Sequence, residues 1–510
     1  MQLEVVKNTR RNLIYGFINK IVTLFFPFIT RTIIIRKLGE QYLGLDGLFT
    51  SILQVLNLSE FGFSTAIVYS MYKPIAEDDS ETICALLAIY KKVYKIVGLA
   101  IGGIGLILMP FLPNLIGGTY PKNVNIYILY IIYLFNTIIS YMLFVYKTSI
   151  LNAFQREDLI SNINTISKSF LYVFQIAAVL LVESYYVYLL VLPISTILNN
   201  ILVSIVVKKN FPQYVCKGFV SKEIKADIKI KVAGLIVQKL CSVSRNAFDS
   251  IFVSIFLGLT ATAIYNNYFY VITAITALTG IISTALMAGV GNHVAINDAK
   301  TNLDEMRKID FVYMVIGGWC SISLCCLYQP FMELWMGEKC LLPNASMILF
   351  VIYFYCLKIG DVRLLYVSAA GLWWENKFRS IAEALANIFL NYILGKYYGV
   401  NGIICATIIT ILLINFLYGA KIVFDNYFGK DKYLGYIIEH IKYALVTFVV
   451  GLITSWLISL ILIDNLIICL LLRMLICCTV PFFLYVIIYR NTDIYIKTRE
   501  WIQEKIMKIH

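Results

Sequence analysis

Two stretches of nine residues, RTIIIRKLG at Arg31–Gly39 and SIFVSIFLG at Ser250–Gly258, decide the fold of this chain. They lie 219 positions apart, and each closes a long apolar run with the dipeptide Leu-Gly. The same shift places Lys20 on Lys239. Two hydrophobic halves that share an internal repeat are typical of transporters whose two lobes enclose a central path. Because of the repeat, charged residues that are far apart in the sequence but lie within the membrane segments are candidates for one shared site.

The composition excludes an ordinary soluble domain. Of the 510 residues, 60% are hydrophobic and 14% are charged, and the mean hydropathy is +0.79. A helix needs about 20 apolar residues to cross the hydrocarbon core of a bilayer, and about fourteen such segments fit in the chain. We therefore predict an all-α polytopic membrane protein with about 14 transmembrane helices.

The net charge of +13 is distributed unevenly. With the amino terminus placed inside, Lys and Arg concentrate in the inner loops, which predicts that both termini are cytoplasmic. Lys7 and Arg10 precede the first apolar segment without a small-residue cleavage site, so we expect that segment to be a retained anchor. The basic stretch from Lys208 to Lys231 also carries acidic residues. We expect it to be a linker attracted to anionic membrane lipids, and we expect no binding of nucleic acid.

The sequence predicts no cofactor, no metal site and no enzymatic activity. The chain has 12 Cys and 3 His without CxxC or His-paired spacing, and many of the cysteines lie inside apolar segments as small hydrophobic residues. No stretch matches a phosphate loop, a dinucleotide-binding glycine pattern or a catalytic triad. The outer loops are too short to hold a folded domain, so the chain must work inside the bilayer.

The repeat and the charge pattern predict the domain organisation. The predicted parts are an N-lobe with segments 1–6 at residues 1–207, a cytoplasmic basic linker at 208–231, a C-lobe with segments 7–12 at 232–424, and segments 13–14 with a cytoplasmic tail at 425–510.

Several short motifs resemble one family of exporters. RNLIYG at Arg11–Gly16, Tyr42-Leu43-Gly44, NLSEFG at Asn57–Gly62 and the stretch Pro330–Gly337 are similar to the polysaccharide flippases of the Wzx type. That family belongs to the multidrug/oligosaccharidyl-lipid/polysaccharide (MOP) exporter superfamily, which also contains lipid II flippases and MATE multidrug antiporters. The resemblance runs from about residue 10 to about residue 490.

The resemblance implies a fold and an activity. The implied fold is two six-helix bundles arranged as a MATE-like V, with two further C-terminal helices. The implied activity is alternating-access transfer of an undecaprenyl-diphosphate-linked oligosaccharide from the inner to the outer leaflet of a bacterial cytoplasmic membrane, for capsule or O-antigen synthesis. It implies a monomer that works with membrane lipids, a polysaccharide polymerase and glycosyltransferases, driven by a coupling ion, H⁺ or Na⁺.

Three alternatives stay open at this stage. Two belong to the same superfamily, a lipid II flippase and a MATE-like antiporter, although the intramembrane cations favour an anionic substrate over a cationic drug. The third is a membrane enzyme, either a polysaccharide polymerase or a glycosyltransferase. The enzyme hypothesis is disfavoured because the chain has no large outer loop and no paired acids in its first outer loop.

A polar stripe marks the seventh apolar segment. Gln238, Ser242, Arg245 and Asp249 follow one another at intervals of four, three and four residues, which places them on one face of a helix. The 219-residue shift maps this stripe onto Asn19–Thr30, and we expect both stripes to line the central cavity. The alternative for Arg245 and Asp249 is a structural ion pair.

Other intramembrane cations are candidate ligands for a diphosphate. Lys20 and Lys239 are equivalent under the repeat, and Arg31 follows Lys20 by three helical turns. The alternative is that these side chains extend to the lipid headgroups. Lys358 and Asp361 are one turn apart and are predicted to pair, which leaves Arg363 as the freer cation.

Acidic and uncharged polar residues complete the predicted site. Asp46 and Glu60, with Asp249 and Asp361, are candidates to carry the coupling ion or to balance the cations, although Asp46 lies near the outer end and could be solvated. The candidate sugar contacts are Gln238, Tyr265, Asn266, Asn267 and Tyr270. A further set, Glu383, Asn387 and Asn391, fits either a polar face against a neighbouring helix or a sugar contact.

Overall fold

The protein is helical throughout the residues that the computed structural model describes. The described backbone comprises residues 5–57, 63–461, 463 and 465–507. Side chains are described for these residues except 5–10, 13, 63–66, 145, 222–244, 288 and 505–507. The contacts between Cα atoms divide the chain into two units, Met1–Ala263 and Ile264–His510.

The first unit is a bundle of long helices with short connections. Its helices are α1 (Val5–Lys37), α2 (Glu40–Leu56), α3 (Phe63–Ala76), α4 (Ser80–Leu108), α5 (Leu112–Leu115), α6 (Ile126–Met142), α7 (Thr148–Ala153), α8 (Glu157–Ala177) and α9 (Tyr185–Asn210), followed by the first part of α10 (Lys222–Ile296). The main packing pairs are α1 with α8, α8 with α9, α6 with α9 and α4 with α6.

The second unit continues from α10. Its helices are α11 (Ala299–Met336), α12 (Asn344–Ile359), α13 (Asp361–Ala369), α14 (Trp373–Thr410), α15 (Gly419–Val423), α16 (Tyr433–Ser459), α17 (Leu466–Tyr489) and α18 (Asp493–Met507). A π-helical segment, Ile411–Tyr418, joins α14 to α15. α11 is the central helix of this unit, since it contacts α12, α16, α17 and α18.

The helix lengths agree with the predicted number of spans. Within the described residues, nine helical segments are long and apolar enough to cross a membrane. Two of them, Arg245–Ile296 with 52 residues and Trp373–Phe428 with 56, are each long enough for two crossings of about 20 residues. The shorter α2–α3, α6 and α12–α13 account for the other predicted segments. The predicted all-α polytopic fold is confirmed.

The Leu-Gly repeat corresponds to a repeated local structure. Gly39, at the end of α1, has φ 108° and ψ 165°, and Gly258, which interrupts α10, has φ 82° and ψ −178°. Glycine alone adopts this region of backbone space readily, because a Cβ would clash. Both members of the repeat therefore break a long apolar helix in the same way.

The boundary between the units lies inside α10, beyond the predicted linker at 208–231. The described residues of α10 before Ala263 pack on the first unit. Gly117 N donates a hydrogen bond to Ser254 O at 2.8 Å, and a Cβ on Gly44 would lie 2.1 Å from Leu259 O. Because of these close backbone contacts, the end of the seventh predicted segment belongs to the first unit.

Side-chain caps fix where several helices begin. Asp79 precedes α4 and accepts a hydrogen bond from Thr82 N at 3.0 Å. Hydrogen bonding from Thr82 holds the pKa of the Asp79 carboxyl below its ordinary value. Asn125 and Asn465 cap α6 and α17 in the same way, by accepting from the first backbone N–H groups of each helix.

Candidate functional site

Asp46 is the centre of a polar cluster in the first unit. It lies on α2 and accepts a hydrogen bond from the Tyr133 hydroxyl of α6. Tyr133 Oη is 3.4 Å from Tyr185 Oη of α9, and Tyr185 donates to the carbonyl of Tyr42 at 3.0 Å. Arg31 of α1 interacts electrostatically with the Asp46 carboxylate. Four helices therefore meet around one carboxylate.

The surroundings of Asp46 are those of a buried site. Tyr133 and Tyr185 are 5% and 3% exposed, and the Asp46 side chain is half-buried between helices. Its hydrogen bond to Tyr133 favours a structured site over simple solvation near the outer end. A carboxylate inside a membrane bundle can hold and release a proton or a monovalent cation.

The polar stripe of α1 contacts a neighbouring helix. Asn19 Nδ2 donates to Ser161 O of α8 at 3.3 Å, and the ring of Phe26 stacks on Tyr172 of α8 with centroids 5.5 Å apart. Asn19 and Phe26 of the Asn19–Thr30 stripe therefore pack against α8, and the central cavity stays a prediction for this stripe. In a membrane helix, polar side chains on one face bind another helix as readily as they face water.

The predicted cations of the first unit lie in different environments. Lys20 is exposed and Arg245 is half-buried. Asp249, one turn after Arg245, is 1% exposed, and both Arg245 and Asp249 engage partners. Three predicted site residues have side chains outside the described residues, namely Glu60, Gln238 and Lys239.

Lys358, which is buried, and Asp361, which is partly exposed, form an ion pair in the second unit. Lys358 Nζ lies 2.7 Å from Asp361 Oδ2, and the lysine side chain is 2% exposed. Tyr313 Oη of α11 donates to the same carboxylate oxygen at 2.5 Å, and Lys358 also donates to Thr279 Oγ1 of α10 at 3.3 Å. The predicted pairing is confirmed, and the two charges compensate each other.

A second charged group of this unit, here called the arginine cluster, consists of Arg363, Arg379, Glu383 and Asn415. Arg379 Nη1 donates to Glu383 Oε2 at 2.6 Å, and Asn415 Nδ2 donates to the same oxygen at 2.8 Å. Asn415 Oδ1 accepts from Arg363 Nη2 at 2.8 Å. The three charged side chains are 0–4% exposed, so the cluster lies in the interior of the unit.

The asparagines in the first part of α14 lie close to the second part of the same helix, which begins after a kink at Gly399. Asn387 Nδ2 donates to Thr407 Oγ1 at 3.0 Å, and Asn391 Nδ2 donates to Asn387 Oδ1 at 3.2 Å. α14 has a non-helical backbone at Gly399, which folds Thr407 back onto the first part. Of the two hypotheses for these residues, the structure favours the polar packing face.

Of the five predicted sugar contacts, the four whose side chains the structure describes divide into two pairs. Tyr265 and Asn267 are 2% and 1% exposed. Tyr265 packs on Phe350 with centroids 5.3 Å apart, and Asn267 donates to a methionine sulfur of α11 at 3.7 Å. Asn266 and Tyr270 are half-buried, so these two remain the more accessible members of the set.

The sequence interpretation missed several residues of these clusters, among them Arg379, Tyr133 and Asn415. The spacing of Arg379 and Glu383 at i and i+4 is a recognised ion-pair signal and could have been used. Tyr133 lies 87 positions from Asp46, and Asn415 lies 32 positions from Glu383. Nothing in a single sequence indicates contacts at such separations.

A family model described as "Polysaccharide biosynthesis protein" matches residues 9–288, more than half of the chain. No curated protein matches the chain in sequence.

Solved structures of transporters share the fold. The lipid II flippase MurJ in an inward closed conformation superposes with a TM-score of 0.68 and 16% identity, covering 94% of this chain and 99% of that chain. An inward-facing multidrug resistance MATE family transporter of the MOP superfamily gives 0.62 and 13%, with 80% and 97% covered. The Vibrio cholerae MATE transporter VcmN in its bent form gives 0.56 and 12%, with 87% and 100% covered. At these identities the likeness shows the fold, and these neighbours are transporters rather than enzymes.

Proposed function

Because the chain belongs to the polysaccharide biosynthesis protein family, we propose that it is a flippase for lipid-linked oligosaccharides. Its substrate on this proposal is an undecaprenyl-diphosphate-linked repeat unit, which it moves from the inner to the outer leaflet of a bacterial cytoplasmic membrane by alternating access. The product would be polymerised into capsule or O antigen. The distribution of Lys and Arg supports cytoplasmic termini.

The single observation that carries this proposal is the family match over residues 9–288 in a chain with an exporter fold. The fold alone would fit a drug antiporter equally well. The cations Lys20 and Arg245 favour an anionic substrate, because electrostatic complementarity selects against a cationic one. A diphosphate has the negative charge that such groups bind as charge-assisted hydrogen-bond donors.

We assign roles to individual side chains on this basis. Lys20, Lys239 and Arg245 bind the diphosphate, and the accessible pair Asn266 and Tyr270 contacts sugar hydroxyls. Asp46, with its donor Tyr133, carries the coupling ion, H⁺ or Na⁺. Arg31 balances the Asp46 charge, since the two groups interact electrostatically.

The test is transport in cells that lack their own flippase and express variants of this chain. Arg245→Ala removes a charge-assisted contact worth about 1.5–3 kcal/mol, so we expect loss of surface polymer and accumulation of lipid-linked repeat units inside. Arg245→Lys should restore part of the activity, because a point charge still binds phosphate without the fork of a guanidinium.

Lys209→Ala is the matched control, because Lys209 is an exposed cation at the end of α9. Normal polymer in Arg245→Ala at equal protein level would contradict the diphosphate assignment. A second arm uses cells depleted of their lipid II flippase. Rescue of those cells, without rescue of polymer export, would identify lipid II as the substrate and overturn the oligosaccharide proposal.

A further inference from the structure

A groove in the second unit is formed by three helices. α11, α17 and the C-terminal helix α18 provide its walls, and its volume is about 360 Å³, within the range of about 300–1,000 Å³ that is usual for small-molecule sites. The ring of Phe311 on α11 contacts both other helices. Its centroid lies 5.0 Å from that of Tyr489 on α17 and 6.4 Å from that of Tyr495 on α18. The three helices therefore meet around one aromatic cluster that borders the groove.

Side-chain contacts hold α18 against α11. Trp501 Nε1 of α18 donates a hydrogen bond to Glu305 Oε1 of α11 at 2.8 Å, and the tryptophan also packs on the hydrophobic core of the second unit. The residues of α18 that line the groove share one face of the helix, namely Tyr495, Thr498, Arg499 and Ile502. The groove is therefore a regular part of the fold of this unit, and α18 presents a defined face to it.

The wall that α17 provides is apolar and exposed. Phe482 and Val486, which line the groove, are 46% and 42% exposed, and α17 is apolar and long enough to cross a membrane. On the predicted topology, its last residue, Tyr489, lies near the cytoplasmic surface of the membrane, where tyrosines are frequent. A lipid acyl chain in the groove would therefore contact apolar side chains within the depth of the inner leaflet.

The polar groups at the groove come from α18. Arg499 is exposed and is the charged residue among the described residues that line the groove. No acidic residue lies three or four positions from it in the sequence, so α18 itself offers no ion-pair partner at helical spacing. Thr498 is 3% exposed, and its hydroxyl has no hydrogen-bond partner among the described residues. A guanidinium and an unpaired hydroxyl on neighbouring residues match the oxygens of a phosphate.

We propose that this groove binds one anionic phospholipid of the inner leaflet, such as phosphatidylglycerol. The phosphate contacts Arg499 and accepts a hydrogen bond from Thr498, and an acyl chain lies against Phe482 and Val486. The single negative charge of phosphatidylglycerol is matched by Arg499, whereas phosphatidylcholine already carries its own cation beside the phosphate. The bound lipid connects α18 with α17 at the membrane surface. This site does not depend on the proposed flippase activity, and its test needs no transport assay.

The experiment uses the purified full-length protein in phosphatidylcholine nanodiscs that contain a small fraction of phosphatidylglycerol with a photoactivatable acyl chain. Mass spectrometry identifies the cross-linked peptides, and the cross-link yield is measured against the fraction of labelled lipid. We expect saturable labelling of α17 and α18, competition by unlabelled phosphatidylglycerol, and no competition by inorganic phosphate. Arg499→Gln should weaken binding about tenfold, because it removes a charge-assisted contact. Thr498→Val should weaken it about threefold, because it removes one hydrogen bond and keeps the shape of the side chain.

The matched control is Lys497→Gln, which removes an exposed cation of the same helix that does not line the groove, so the affinity should stay at the wild-type value. Equal losses in Lys497→Gln and Arg499→Gln would overturn the proposal, because they would indicate general attraction of anionic lipid to α18. Equal labelling by a phosphatidylcholine probe would also overturn it. So would displacement of the label by undecaprenyl phosphate at a lower concentration than by phosphatidylglycerol, because the groove would then prefer a polyprenyl lipid.

Discussion

Replacing Glu383 should destabilise the second unit strongly, because Glu383 provides the counter-charge of a buried arginine. Its side chain is 3% exposed, and that of Arg379 is 4% exposed. Glu383 Oε2 accepts hydrogen bonds from Arg379 at 2.6 Å and from Asn415 at 2.8 Å. Glu383→Leu leaves the guanidinium buried without a partner charge, and breaking a buried pair in this way costs about 3–5 kcal/mol.

Two further variants separate charge from shape. Glu383→Gln keeps an oxygen that can accept one hydrogen bond but loses the charge, and we expect a cost of about 1.5–3 kcal/mol. The double replacement of Arg379 and Glu383 by Leu removes both charges together. Replacing a buried ion pair by apolar residues is often neutral or stabilising, so the double variant should be more stable than Glu383→Leu alone.

The free energy of unfolding can be measured on the full-length protein in mixed micelles, with loss of helicity followed by circular dichroism during titration with dodecyl sulfate. The coupling energy from the double-mutant cycle is the quantity of interest. A double variant whose loss equals the sum of the losses in Glu383→Leu and Arg379→Leu would refute the argument. In that case Arg379 and Glu383 would act independently, and the 2.6 Å contact would carry no pairing energy.

Three other predictions follow from the same structure. Gly44→Ala should cost about 1–3 kcal/mol, because the new Cβ would lie 2.1 Å from a backbone carbonyl oxygen; the measurement is the yield of monodisperse protein, and an unchanged yield would contradict it. Tyr133→Phe removes the hydrogen bond to Asp46 and should shift the pH or sodium dependence of flipping in proteoliposomes at constant protein level, whereas an unchanged profile would remove Asp46 from the coupling role. A reporter fused after Lys217 should be cytoplasmic and one near Lys339 external, and finding both on one side would contradict the predicted topology.

Local spacing predicted local structure well. Lys358 and Asp361 are three residues apart, and helix geometry alone brings their side chains together, as the 2.7 Å contact confirms. The repeat of Leu-Gly pairs corresponds to a shared backbone conformation, since Gly39 and Gly258 both have positive φ. These successes depend on residues that are neighbours in sequence or on a conformation that one residue type prefers.

The contacts between distant helices could not be predicted in this way. Asp46 and Tyr133 are 87 positions apart, and no periodicity in either helix identifies the other as its partner. The contact between Asn19 and α8 could not be predicted for the same reason. A helical stripe shows which side chains share a face, but the neighbour of that face depends on how the bundle assembles, and here it is α8.

In this protein, the hydrogen bonds that a polar side chain makes show whether it serves helix packing or function, and its polarity alone does not. Asn19 and Asn387 lie on polar faces, but each amide donates to a neighbouring segment, so their polarity is explained by helix association. Lys20 is exposed on a helix whose apolar window has a mean hydropathy of 1.5. Since unmatched charge in an apolar setting is expensive, an anionic ligand would explain this lysine. The lipid-linked diphosphate is our proposal for that ligand.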